Sequence, residues 1–139
     1  MMELTPEEHE LTQKVIGLAM KVHRTLGIGF VEFVYRNALI IELKQAGFTV
    51  ESEKSMKVTY EGIVVGEFAT DLVVNEWLIV ELKAAAKLLP VHELQLVNYL
   101  TALNQHFGLL INFGAPSLEF QRKHRRKKSA PSPPPDLRE

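Results

Sequence analysis

The stretch that most constrains the fold of this chain is Asp71–Lys83, "DLVVNEWLIVELK". Two apolar runs flank Asn75-Glu76-Trp77, and both carry charge at their outer ends: Asp71 opens the first, while Glu81 and Lys83 close the second. Runs this dense in Val, Ile and Leu suit strands inside a sheet, the second of them central. Asp71 shares a face with Glu81 and lies opposite it only if the antiparallel pairing sums to 152, which needs an odd loop such as Asn75-Glu76-Trp77. A two-residue turn at Asn75-Glu76 would pair Asp71 with Val80 and point it away from Glu81. Leu72, Val74, Leu78, Val80 and Leu82 fill one face, and Val73 and Ile79 the other, so the apolar pattern leaves the register open. A shared carboxylate site requires the odd loop, or a bulge that repairs the register. Local preference offers a rival, because "VELKAAAKLL" has high helix propensity and a helix could start at Glu81. The β-branched and aromatic "WLIV", with Pro90 as a separate helix start, favours strand through Lys83.

Around this hairpin the chain reads as helices and strands in blocks. Thr5, Pro6 and Glu8 form a helix start with a capping box. Leu11, Val15, Ile16, Leu18, Ala19, Val22 and Leu26 then recur at helical spacing up to Gly27. A second helix is expected from about Val31 to Ala46, with Val34, Ala38, Leu39, Ile41 and Leu43 inward and Gly47 as terminator. "FTVESEKSMKVTYEGIVVGEF" reads as two strands about a Glu61-Gly62 turn, and "FATDLVV" and "WLIVELK" as two more. "PVHELQLVNYLTALN" returns to helical period, and "FGLLINFG" and "LEFQRK" close the domain as strands. The expected order is ααββββαββ, an α/β or α+β domain whose mixed β-sheet is flanked by helices.

Composition narrows the chemistry. At 139 residues, 46% hydrophobic and 24% charged, the chain is one globular domain's worth. It has no cysteine, which excludes disulfides and thiolate metal sites, so any metal is held by oxygen or imidazole. No apolar run approaches the roughly 18 to 20 residues of a membrane span, and "MMELTPEEHE" is unlike a secretory signal. A cytoplasmic protein without membrane contact is expected. The net charge of −1 is unevenly spread: from Gln121 to Glu139 seven Lys or Arg face two acids, a local +5, which leaves −6 on residues 1–120. A basic run such as "RKHRRKK" suits a polyanion partner, but such runs are often only a solvated tail. The expected boundary sets a domain at residues 1–122 and a basic, Pro-rich flexible tail at 123–139.

Two carboxylates converging at a strand edge form a hard-oxygen site suited to Mg2+ or Mn2+. Lys83, two residues after Glu81, projects from the same strand face and is placed to orient an attacking water beside the metal. A surface ion pair at strand ends is the bland reading of the same residues. Gln95 and Tyr99 sit one helical turn apart with His92 a turn earlier; a glutamine and a tyrosine so placed bind a phosphate backbone or support metal-bound water, and Tyr99 also suits a core aromatic with its hydroxyl satisfied. Glu32 and Tyr35 sit three residues apart near the start of the second helix. Glu32 there is either a partner of the helix dipole or a further metal ligand. His23 and His92 make no recognised metal pair.

"GFVEFVY" resembles the signature of the GxxExxY proteins, and "EFATDLVV", "LIVELK", "PVHELQLVNYL" and "GLLINFG" look like that family's further blocks in the same order. The resemblance covers about Val15 to Arg122 and departs from the usual pattern at Thr70, where alanine is common, and at Ile28, where proline is common. It implies the PD-(D/E)XK, restriction-endonuclease-like superfamily, with a mixed sheet between helices and metal-dependent phosphodiester cleavage. By the resemblance, Asp71 is the motif aspartate, Glu81 and Lys83 the Glu-x-Lys, Glu32 the helix carboxylate, and Gln95 with Tyr99 the glutamine-tyrosine motif. The expected metal ligands are Asp71, Glu81, the Leu82 carbonyl and Glu32. Catalysis is expected from Asp71, Glu81, Lys83 and Glu32, and substrate binding from Gln95, Tyr99, Tyr35 and His92. The function implied is a Mg2+- or Mn2+-dependent nuclease acting on DNA. The alternative on the same fold is an inactive nucleic-acid-binding or protein-interaction module, with a homodimer or a protein partner open.

Overall fold

The computed structural model describes residues 4–126. Helix α1 (Pro6–Leu26) starts at a closed capping box: Thr5 Oγ1 accepts from Glu8 N at 3.1 Å, and Glu8 Oε1 accepts from Thr5 N at 3.0 Å. It buries Leu11, Val15, Ile16, Ala19 and Val22. Helix α2 (Glu32–Gln45) buries Tyr35, Leu39 and Leu43, a stripe repeating every four residues. Ile41 was expected inward but lies two residues from Leu39, over half a turn round the helix, and is 56% exposed.

Five strands form one sheet in sequential order: β1 (Val50–Tyr60), β2 (Ile63–Val74), β3 (Leu78–Lys83), β4 (Phe107–Asn112) and β5 (Glu119–His124). Helix α3 (Pro90–Ala102) crosses from β3 to β4, which pair in parallel, and every other neighbouring pair is antiparallel. The sheet is therefore mixed and the fold α+β. The element order is ααβββαββ, with one strand fewer than expected. "GIVVGEF" and "FATDLVV" are a single strand, because Gly66, Glu67 and Phe68 keep pairing with Val58, Lys57 and Met56 across the join. At the other end β5 runs past the expected boundary at Arg122, with Lys123 opposite Gly108 and His124 opposite Phe107. The expected tail beyond Arg126 lies outside the described residues.

Helices cover both faces of the sheet. On one face α1 and α2 pack over Leu72, Val74, Leu78, Val80, Leu82, Leu109 and Ile111. On the other, Leu96 and Leu100 of α3 pack over Ile79 and Leu110. Alternation along β3 therefore sends Ile79, Glu81 and Lys83 toward α3. Among the described residues no helix is long and apolar enough to cross a membrane.

Candidate active site

The geometry of the site begins in the turn between β2 and β3. Asn75 and Glu76 both have positive φ, 52° and 71°, and Trp77 N donates to Val74 O at 3.3 Å, closing a tight turn. The ladder then pairs Val74 with Leu78, Val73 with Ile79 and Leu72 with Val80, so Trp77 is an extra residue in the connection. This is the register that sums to 152. Asp71 and Glu81 thus come to the same face on adjacent strands, and the extended conformation runs through Lys83.

Asp71 sits where pairing lapses on both sides. Toward β3 the ladder ends at Leu72 and Val80, and Asp71 Oδ2 instead accepts from Leu82 N at 2.8 Å. Toward β1, Ser52 pairs with Leu72 and Lys54 with Thr70, but the intervening Glu53 turns out with φ of 54°. Its carboxylate is 3.4 Å from Arg36 Nη1 of α2. The gap so opened is occupied by carboxyl groups.

Glu81 is the most perturbed of them. Its Oε2 is buried with no hydrogen-bond partner among the described residues. Burial, then the charge of Asp71 and a hydrogen bond to it, push the Glu81 carboxyl up to about 9, against the opposing pull of Lys83. Two carboxyls held this close retain a proton between them unless a cation replaces it. Glu32, on the exposed rim at the start of α2, is also raised, first by partial burial and then by Asp71, with Lys83 and Arg36 pulling the other way. It lies within electrostatic reach of the pair. Among the described residues no three His, Cys, Asp or Glu side chains form a ready-made metal cage.

Helix α3 supplies the opposite wall. Glu81, Lys83, His92, Gln95, Tyr99 and Ala69 line one pocket of about 70 Å³. The Tyr99 ring stacks on Phe68 of β2 with centroids 3.9 Å apart, and burial, then the charge of Glu81, raise its phenol. His92 also has a local duty, since its Nδ1 accepts from Leu89 N at 3.0 Å at the head of α3.

Tyr35, expected to bind substrate, does not reach the pocket. It is fully buried on the α1–α2 side, stacked on Phe113 at 4.8 Å. Its hydroxyl donates to Gly27 O at 2.6 Å and accepts from Phe30 N at 3.3 Å, which fixes the loop between the first two helices. His23 is likewise structural, its Nε2 lying 2.9 Å from Ala115 O. Sequence reasoning missed Phe68, Arg36 and the buried Asn112. Only Asn112 left a signal, as a single amide ending the apolar run "FGLLIN".

A mixed sheet with helices on both faces, bearing Asp, Glu and Lys on the rim of adjacent strands, defines a restriction-endonuclease-like protein. Residues 9–125 match the family model of the PD-(D/E)XK nuclease superfamily, and the chain belongs to that superfamily. Among solved structures, the fold is similar to the crystal structure of SSO0001, with a TM-score of 0.54 and 19% identity over 68% of this chain. The match covers 51% of that protein, so the chain spans about half its length. No curated protein matches the sequence.

Proposed function

We propose that this protein is a divalent-cation-dependent nuclease that hydrolyses phosphodiester bonds of DNA, within the GxxExxY branch of its superfamily and in the cytoplasm. One observation carries the reading: Asp71 and Glu81 face each other in the gap between β2 and β3, with Glu81 Oε2 buried and without a partner among the described residues. The donors there fit Mg2+ or Mn2+, because they are carboxylate oxygens joined by the Leu82 carbonyl. Leu82 turns its N–H to Asp71, and in an extended strand the C=O of a residue points to the same side, hence into the same gap.

A bound cation would supply Lewis-acid stabilisation of charge on the phosphoryl oxygens. The rest of the work belongs to the chain. Asp71 and Glu81 hold the cation, and Glu32 adds negative charge on the rim. Lys83 orients the attacking water and balances the carboxylates. Gln95 and Tyr99, on the facing helix, hold substrate phosphate, with His92 at the pocket mouth. At the basic end of the described chain Lys123 pairs with Glu93 of α3 at 2.9 Å and the Arg126 guanidinium bonds Asn98, which ties the end of β5 to the helix facing the site.

The test is cleavage of labelled single- and double-stranded DNA. Wild type is expected to cut with Mg2+ or Mn2+ and to stop on chelation, and Lys83→Ala to lose about 100-fold or more. DNA binding that survives chelation without any cutting would assign the protein to the inactive-module class instead.

A further inference from the structure

The strand that ends in Glu81 and Lys83 and the helix that carries Gln95 and Tyr99 are joined by "AAAKLL", residues 84–89, which belong to no regular element. Small and aliphatic side chains cannot satisfy the backbone of this connection, so other residues do. Asn112, at the end of β4 and in parallel register with Lys83, is fully buried. Its Oδ1 accepts from Ala85 N at 2.9 Å and Gly114 N at 3.1 Å. Its Nδ2 donates to Ala85 O and to Glu119 Oε1, both at 2.9 Å. The same Glu119 oxygen accepts from Leu88 N at 2.8 Å, and Phe113 N donates to Lys83 O at 2.8 Å. The amide of Asn112 thus uses two donors and two acceptor contacts, its full capacity. Space is made to match: a Cβ at Gly114 would collide with the backbone of Ala84 and Ala85.

The bonds to Ala85 and Leu88 hold the connection between the strand and the helix that form opposite walls of the pocket, and the proposed chemistry uses neither Asn112 nor Glu119. We propose that Asn112 and Glu119 form a positioning latch that sets the distance of Gln95 and Tyr99 from Glu81 and Lys83. Loosening it lowers turnover and leaves the cation affinity of Asp71 and Glu81 intact. The turnover half of this statement rests on the nuclease reading; the placement of α3 does not. A merely stabilising network would instead affect melting, cation binding and turnover together.

Glu119 is the place to cut the latch, because it lies at the partly exposed end of β5 rather than in the core. In Glu119→Ala, hydrogen exchange at the Ala85 and Leu88 amides should quicken about tenfold or more, as two anchoring bonds are lost. Single-turnover cleavage at subsaturating DNA should fall about 10- to 100-fold, while the Mn2+ dissociation constant stays within about twofold. Glu119→Gln should restore exchange protection and rate, because its amide oxygen accepts the same two bonds. An unchanged rate in Glu119→Ala overturns the latch, as does a loss of Mn2+ affinity as large as the loss of rate, or failure of Glu119→Gln to rescue. If wild type neither cuts DNA nor binds Mn2+, the nuclease reading falls alone. The latch is then judged by exchange at the Gln95 to Tyr99 amides, which must quicken in Glu119→Ala; equal exchange in the two proteins overturns it.

Discussion

Tyr35 and Glu32 share a motif and part company in the fold. Residues three apart on a helix are neighbours on its surface, which made a joint role reasonable. The inward stripe of α2 takes Tyr35 with Leu39 and Leu43, and leaves Glu32 on the rim at the first turn. Tyr35→Phe separates the roles. It removes a hydroxyl that bonds Gly27 O and Phe30 N, and should lower unfolding free energy by about 1 to 2 kcal/mol. KM for DNA should stay as in wild type, and a rise in KM at unchanged stability would return Tyr35 to the substrate. At this scale the charges of Asp71, Glu81 and Lys83 fitted a surface ion pair at strand ends as well as a shared site, and what the sequence allowed to be stated was the register, summing to 152, that would bring Asp71 and Glu81 to one face. The part played by Tyr35 was not, since a tyrosine in a motif looks alike whether its hydroxyl serves a phosphate or a loop.

Among the elements, the β2–β3 connection decides whether the carboxylates meet. Apolar residues on both faces left the register undetermined, and only the demand that Asp71 face Glu81 singled out the pairing that is found. Trp77 supplies the extra residue and is held by packing, its ring stacked on His106 at 6.0 Å and tilted against Phe107 at 6.4 Å. Glu76 contributes only its backbone, and a non-glycine residue at φ of 71° is strained. Glu76→Gly gives the turn an Asn-Gly pair, the preferred sequence where two successive φ values are positive. We expect a gain of about 1 kcal/mol in unfolding free energy, read by urea denaturation, with cation affinity unchanged. Lost Mn2+ binding in that variant would mean that the strained turn, rather than Trp77, maintains the register. Two features at this scale were hidden from the sequence. The single run of β2 depends on β1 lying beside it, since Gly66 still pairs with Val58 although the register shifts next to it, between Val58 and Thr59. The tie between Asn112 and residues 84–89 joins segments brought together only by the parallel crossover.

Across the whole molecule the carboxyl pair is a site built at the expense of stability. Without a cation the fold holds Glu81 protonated, with its carboxyl raised from 4.5 to about 9. The folded chain therefore keeps a proton that the unfolded chain releases, and stability falls as pH rises. This contribution is fully present below about 4.5 and is lost as pH climbs toward the folded value near 9. The slope is at most about 1.4 kcal/mol per pH unit. Asp71, Lys83, Glu32, Tyr99 and His92 face or neighbour the same carboxyl, so a single melting curve would not report Glu81 alone. Comparison with Glu81→Gln isolates the one proton, because its amide keeps the shape and can donate to Asp71 without ionising. In chelator, Glu81→Gln should be the more stable protein at pH 8, and its advantage should shrink steadily as pH is lowered to 5.5. Mg2+ should then stabilise wild type more at pH 8 than at 5.5, since a cation displaces the proton that low pH retains, and should do little for Glu81→Gln. Urea denaturation at stepped pH, with and without Mg2+, gives all four curves. Parallel profiles for the two proteins in chelator would show that Glu81 is already ionised in the fold, and that the two carboxyls do not share the gap without a cation.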